Sequence, residues 1–328
     1  MSDPHPFGKL SPDTVLGAVE GATGGVCDGR LLALNSYENR VYRVGLEGAE
    51  PVVVKFYRPG RWSDEQILEE HAFTAELARG EVPVAAPMAF EGRTLLEHAG
   101  YRLAVFPRCG GRMPEVDDRD IIRRLGAYVA RIHGVGATGR FQYRPAVDSG
   151  EHGRAARDAV LAGGWIPPHL EAAYRTLTDD LFEAATACWD RAGAVEQLRL
   201  HGDFHPGNVL QTDDGFHVVD LDDARGGPAI QDLWMLLQGE RDERQACLDA
   251  VLEGYRSLRR FDARELHLVE PLRTLRLIRY AAWIAERWDD PAFPMAFPWF
   301  GESRYWEEHL LALREQLAAM QEPPLTIQ

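Results

Sequence analysis

The stretch HGDFHPGNVL, residues 201–210, followed by VVDLDD at 218–223, decides how this chain is read. It sets Asp203, Asn208 and Asp220 within one short segment. Asp203 is placed to accept a hydroxyl proton. Asn208 offers a neutral oxygen to a metal, and Asp220 a charged one. Phosphoryl transfer from Mg-ATP asks for little covalent chemistry, so positioning phosphate-bridging cations and one hydroxyl is most of the work. A plain turn rich in Gly, Pro, Asp and Asn is the bland alternative. Zinc is a second alternative, because His201, Asp203 and His205 alternate. Pro206 and Gly207 break any strand there, and no further His or Cys stands at ligand spacing. His201 is expected to hold the loop by hydrogen bonds.

The flanking sequence splits into two characters. Residues 29–56 run RLLALNS, NRVYRVGL and PVVVKFYR, apolar or alternating and broken by turns, which predicts a β-meander. SPDTVLGAVEGA, 11–22, predicts a short helix capped by Ser11. SDEQILEEHAFTAELARG, 63–80, carries a Ser63/Gln66 capping box and a helical apolar stripe. Further short strands are expected up to the Gly-Gly of AVFPRCGGR, 104–112. Beyond it helical periods dominate at 121–135, 170–192, DLWMLLQ, CLDAVLEGYRSL and LHLVEPLRTLRLIRYAAWIAERW. Asp232 is expected to open a helix as its N-cap. The tail QEPPLTIQ reads as peripheral. Strands segregated from helices predict an α+β fold with two lobes, a β-rich one at 1–106 and a helical one at 107–328.

Lys55 lies in a continuous apolar strand, where an unpaired ammonium is costly. Its expected partner is Glu70, which shares a stripe with Ile67, Phe73 and Leu77; Glu69 is the second choice. LNSYENRVY, 34–42, is the candidate phosphate-covering loop, with no glycine between Leu31 and Gly45. Asn35, Ser36 and Asn39 would supply amides and a hydroxyl there, with Ser36 in direct contact. The backbone of Phe106 to Gly111 is the candidate adenine reader, with Gly110–Gly111 permitting lobe movement. Cys109 reads as a packing residue, and the tryptophans as core or groove lining.

The segment resembles the catalytic and metal-binding loops of the kinase-like phosphotransferases, the group of aminoglycoside phosphotransferases, choline kinases and homoserine kinases. Longer stretches are similar to the bacterial stress response kinase A family: LNSYENRVY, VVKFYRP, QILEEH, EVPVAAP, VDLDDAR, QDLWMLL, EPLR and WDDPAFP, spread over roughly residues 30 to 325. The resemblance implies a bilobal protein-kinase-like fold and a cytoplasmic, monomeric, Mg-ATP-dependent Ser/Thr protein kinase of stress response, itself a possible substrate. It implies Asp203 as proton acceptor and, with Asp220, as the catalytic pair. Asn208 and Asp220 become magnesium ligands, and Ser36, Lys55, Glu70 and Phe106 line the ATP site. It also implies that Asp232 hydrogen-bonds the catalytic-loop backbone. The turn Gln211–His217 is one residue longer than the family pattern, which a hairpin tip tolerates.

Bulk composition agrees with a soluble enzyme. The chain has 328 residues, is 45% apolar and 27% charged, and carries a net charge of −15. That charge argues against nonspecific nucleic-acid or anionic-membrane partners and is compatible with a basic peptide or cationic substrate. Four dispersed cysteines make neither a disulfide framework nor a zinc site. No stretch approaches the ~20 apolar residues of a membrane span, and the N-terminus lacks a signal-peptide core. The residues leave three functions standing: protein kinase, kinase of a small amino alcohol, sugar or aminoglycoside, and nucleotide-binding scaffold. The complete set of Lys55, Asp203, Asn208 and Asp220 disfavours the third.

Overall fold

A computed structural model describes residues 5–148 and 150–327. The chain runs α1 (Pro12–Thr23), β1 (Cys27–Ala33), β2 (Arg40–Leu46), β3 (Ala49–Phe56), α2 (Asp64–Arg79), β4 (Leu96–His98) and β5 (Tyr101–Pro107) through the first lobe. The second lobe holds α3 (Arg119–Gly136), α4 (Glu151–Ala162), α5 (Pro168–Ala192), β6 (Leu198–Leu200), β7 (Val209–Thr212), β8 (Gly215–Val218) and β9 (Arg225–Gly227). It closes with α6 (Arg241–Arg256), α7 (Val269–Glu286), α8 (Ala292–Ala296) and α9 (Ser303–Gln321). This is an α+β fold of a small β-rich lobe and a mostly helical one.

The small lobe is an antiparallel sheet in the order β1-β2-β3-β5-β4. Val44, Val54 and Phe56 turn one face onto Val15, Ala18 and Val19 of α1. Ser11 caps α1, its side chain accepting from the Thr14 amide. Lys55 pairs in register with Val41 and Ala104. Helix α2 has the expected reciprocal cap between Ser63 and Gln66, and buries Ile67, Glu70, Phe73 and Leu77. The helix is thereby fixed in phase, so Glu70 faces inward.

The large lobe has two cores. In one, Leu125, Val129 and Ile132 of α3 pack with Leu248 and Val251 of α6 and with Phe204, Phe216 and Val218 around the β7–β8 hairpin. In the other, α4, α5, α7 and α9 enclose Phe182, Tyr174, Phe300 and Trp306. Helices α4 and α9 were not anticipated from periodicity. On α4 the buried residues are only Gly153, Ala156 and Val160, so the apolar stripe is thin, whereas α9 buries Trp306, Leu310, Leu313 and Met320 at helical spacing.

Two expectations are corrected here. DLWMLLQ is not a helix opened by Asp232. Asp232 instead ends one 3₁₀ turn, Ala229–Asp232, and a second spans Trp234–Leu236. Its carboxylate is committed elsewhere, as described below, and Pro228 and Gly239 leave little length between them. Nor is the tail peripheral. Leu325 is buried in the first core, and the Thr326 amide donates to Gln245 Oε1 at 3.1 Å.

Helices α3 and α6 approach so closely that a Cβ on Gly254 would stand 1.7 Å from the Arg123 carbonyl oxygen. Gly254→Ala is therefore expected to lower unfolding free energy by about 1–3 kcal/mol through overpacking. Urea unfolding checks this: the midpoint should fall while the slope stays constant.

Candidate active site

The catalytic loop is shaped from beneath by Asp232, which is fully buried. Its two oxygens each accept one backbone amide at 2.8 Å, Oδ2 from His201 and Oδ1 from Gly202. His133 Nε2 lies 3.1 Å from Oδ2, and the other ring nitrogen of His133 meets the Tyr255 hydroxyl at 3.0 Å. Gly202 has φ +85°, and a Cβ there would sit 2.1 Å from the Asp223 carbonyl oxygen, so only glycine fits. His201 behaves as expected. It is wholly buried, its Nδ1 accepts from the Asp203 amide at 3.3 Å, and its Nε2 donates to the Val219 carbonyl at 3.0 Å. One histidine thus joins the loop of Asp203 to the strand end that delivers Asp220.

Asp203, Asn208 and Asp220 converge on this frame. Asn208 Nδ2 donates to the Asp203 carbonyl at 3.0 Å, which leaves its side-chain oxygen available as a ligand. Asp220 holds a left-handed backbone, φ 60° and ψ 64°, a conformation that costs a non-glycine residue energy and recurs at functional sites. Its carboxylate is 54% exposed. A neutral amide oxygen and an open carboxylate are the hard donors a small divalent cation takes. Asp203 faces Arg276 of α7 through Oδ1, and His205 Nε2 lies 3.5 Å from Oδ2. Burial works to raise the Asp203 pKa, but the His205 hydrogen bond and the Arg276 charge outweigh it and hold it below the ordinary carboxylate value.

Lys55 reaches the same place from the other lobe, but not with the expected partner. Its Nζ lies 2.8 Å from Asp222 Oδ1 and 3.2 Å from Asp220 Oδ1. Burial would depress the ammonium, yet Asp222, Asp220 and Glu70 together raise its pKa above the usual lysine value. Glu70 is near but pairs with Arg144 Nη2, at 3.3 Å. Arg144 lies in the connection after α3, and no local periodicity marks it. Burial pushes the Glu70 carboxyl up to about 7, against the pull of Lys55 and Arg144. Glu69 accepts the backbone amides of Tyr143 and Arg144 at 2.9 and 2.8 Å, so it serves the same connection.

Arg61, Glu38 and Asp290 join the expected residues in completing the cleft. Arg61 pairs with Asp222, and with Asp223 at 3.1 Å; Asp223 also takes Arg225 at 2.7 Å. Against burial, Lys55 and Arg61 hold the Asp222 carboxyl, and Arg61 and Arg225 the Asp223 carboxyl, far below the ordinary range. The loop between β1 and β2 is braced rather than free. Ser36 Oγ donates to the Leu34 carbonyl at 3.3 Å and accepts from the Val41 amide at 3.1 Å. Glu38 receives Arg58 at 3.2 Å, and Trp283 Nε1 and Arg287 Nε at 2.5 and 2.6 Å. Asp290, 1% exposed, takes Arg40 and Arg58 at 2.8 and 2.7 Å. Phe106 sits near the end of β5, partly buried and opposite Val53. The following linker is tied to the hairpin through Arg112 and Gln211, which exchange backbone hydrogen bonds at 3.0 and 2.7 Å.

Comparison with known proteins agrees with this geometry. Residues 30–269 match the model of the phosphotransferase enzyme family. Over 98% of its length the chain is 46% identical to serine/threonine protein kinase RdoA of Salmonella typhimurium strain LT2, covering 97% of that protein. It is 47% identical, with the same coverage, to stress response kinase A of Escherichia coli strain K12. The chain belongs to the stress response kinase A family of phosphotransferases. Among solved structures, its fold is similar to that of amicoumacin kinase hAmiN bound to AMP-PNP and Ca²⁺, with TM-score 0.73 at 19% identity over 96% of this chain and 95% of that one. It is also similar to a microcompartment-associated aminopropanol kinase, with TM-score 0.66 at 19% identity over 89% and 93%.

The turn bearing Asp232 is itself anchored by Glu265, 2% exposed, whose Oε2 accepts the Ile230 amide at 2.8 Å. Burial pushes the Glu265 pKa up to about 7, only partly offset by that amide. The folded protein then binds more protons than the unfolded chain between pH about 4.5 and about 7. Stability should fall by roughly 3 kcal/mol from this group as pH rises through that window. Urea unfolding at several pH values is expected to show that slope, and Glu265→Gln should reduce it, leaving the part that comes from Glu70.

Proposed function

We propose that the protein is an ATP-dependent serine/threonine protein kinase, with Asp203 as the group that receives the acceptor's proton. The observation that carries this is the convergence of Asp203, Asn208, Asp220 and Lys55 on one cleft, held by Asp232 and His201. Residues 1–106 and 107–328 act as the nucleotide and acceptor lobes. Lys55 engages the α- and β-phosphates, Ser36 and the loop around it cover the phosphates, and the backbone from Phe106 to Gly111 reads the adenine. Glu70 contributes to the field around Lys55 without touching it. Asn208 and Asp220 would hold Mg²⁺, which when bound neutralises charge on the β- and γ-phosphates.

In the reaction the acceptor hydroxyl oxygen bonds to the γ-phosphorus, and the bond to the β–γ bridging oxygen breaks. ADP leaves with that electron pair. The hydroxyl proton passes to the Asp203 carboxylate, which also orients the attacking oxygen. Ser and Thr as acceptors are supported by the name and near-complete coverage of the Salmonella relative. A role in stress response rests on the names of the relatives, and a cytoplasmic, monomeric protein that also phosphorylates itself completes the reading. Among the described residues no helix is long and apolar enough to cross a membrane.

Asp203→Ala should lower turnover by roughly 10²–10⁴ and leave ATP affinity nearly unchanged. Asp220→Asn should instead weaken Mg-ATP binding itself, measured by calorimetry with and without the metal. Mass spectrometry after incubation with Mg-ATP, with Asp203→Ala as control, identifies the acceptor. Phosphate on Ser or Thr supports the proposal. Phosphate found only on a panel of small alcohols would replace it with a small-molecule kinase.

A further inference from the structure

Arg276 is an exposed arginine that the fold does not need. It lies on α7, which buries Leu275, Ile278 and Ala282 on faces turned away from it in a core of the large lobe. Its own side chain is 47% exposed, and its ion-pair partner among the described residues is Oδ1 of Asp203. An ion pair this open contributes about 0–1 kcal/mol to stability at most. The same contact means more for geometry. The stretch from His201 to Asn208 contains no lysine or arginine, and its nearer cationic candidate, His205, stands 3.5 Å from the other oxygen, Oδ2. Asp203 turns about two side-chain torsions, and among the described residues no backbone amide donates to its carboxylate. Without Arg276 the plane of that carboxylate rests on the long contact with His205 alone.

We propose that Arg276 is a positioning residue for phosphoryl transfer. It holds Oδ1 of Asp203 so that Oδ2 is presented to the acceptor hydroxyl. The inference rests on Asp203 being the proton acceptor. It adds a residue from α7, some seventy positions from the catalytic loop, to the machinery. The guanidinium suits the task because its rigid planar fork fixes a carboxylate's orientation, which a lysine does less well.

The test compares wild type, Arg276→Ala and Arg276→Lys as full-length proteins. Labelled phosphate transfer from Mg-ATP is followed on a degenerate Ser/Thr peptide library and on small alcohols, using whichever acceptor the wild type labels. Arg276→Ala should lose about 10² in kcat, the cost of a misplaced reacting group, with KM for Mg-ATP and the urea midpoint unchanged. Arg276→Lys should fall between. Guanidinium ion, added far below denaturing concentrations, should restore part of the activity of Arg276→Ala but do nothing for wild type. A kcat equal to wild type in Arg276→Ala overturns the proposal. So does a loss that follows a raised KM for Mg-ATP or a lowered midpoint and ignores guanidinium. If Asp203→Ala remains active, the proton-acceptor reading itself falls; if Asp203→Ala is dead and Arg276→Ala fully active, only this inference does.

Discussion

A lysine buried in a β-strand must find an anion, and that constraint organises the cleft. Lys55 is 6% exposed. An ammonium so placed costs several kcal/mol unless paired. The chain meets the requirement from the opposite lobe, with Asp222 and Asp220, rather than from the neighbouring helix. The pairing therefore does two things. It keeps the lysine charged, and it links the five-stranded sheet to the segment that carries the metal-ligand candidate. Asp220 is shared between these tasks. An arriving nucleotide phosphate and a cation would compete for the same charges, so the site is preset for ligands that bring both signs.

The remaining charges extend that link into a clamp. Arg58 and Arg40 of the small lobe descend onto Asp290, while Trp283 and Arg287 rise to Glu38 in the loop between β1 and β2. A loop lacking glycine cannot rely on backbone freedom to wrap a phosphate. Here its shape is imposed by side-chain contacts with α7 and the segment after it. WDDPAFP is thus more than surface sequence: its second aspartate is the buried anchor of the clamp. A net charge of −15 coexists with a cleft where arginines and carboxylates are matched, so overall charge says little about the acceptor.

Below the cleft the logic is hydrogen bonding rather than charge matching. Asp232 satisfies two amides that a tight loop would otherwise leave orphaned, and His201 fastens that loop to the Asp220 strand end. Buried networks of this kind specify one geometry because each missing partner costs a full desolvation penalty. The same commitment explains why the segment after Gly227 coils into two short 3₁₀ turns instead of a helix.

What the amino-acid sequence determines by itself is whatever depends on short spacing. The HGD-x-H-x-x-N stretch, the Ser63/Gln66 cap, the period-two strands of 29–56 and the inward stripe of α2 are local, and the two-lobed α+β fold follows from their order. A helix with a thin apolar stripe, α4, escapes such reading, as does a tail whose two late apolar residues reach a distant core. The partners of charged groups were decided only in three dimensions. Glu70 faces inward as its phase requires, but Arg144 takes it, and Lys55 turns to Asp222, 167 positions away in the chain. Arg276 has no local signature at all, and the WDDPAFP stretch marks Asp290 without saying which charges it takes. Coulomb attraction acts through space and rewards whichever opposite charge the packed cores bring near, and periodicity along the chain holds no record of that.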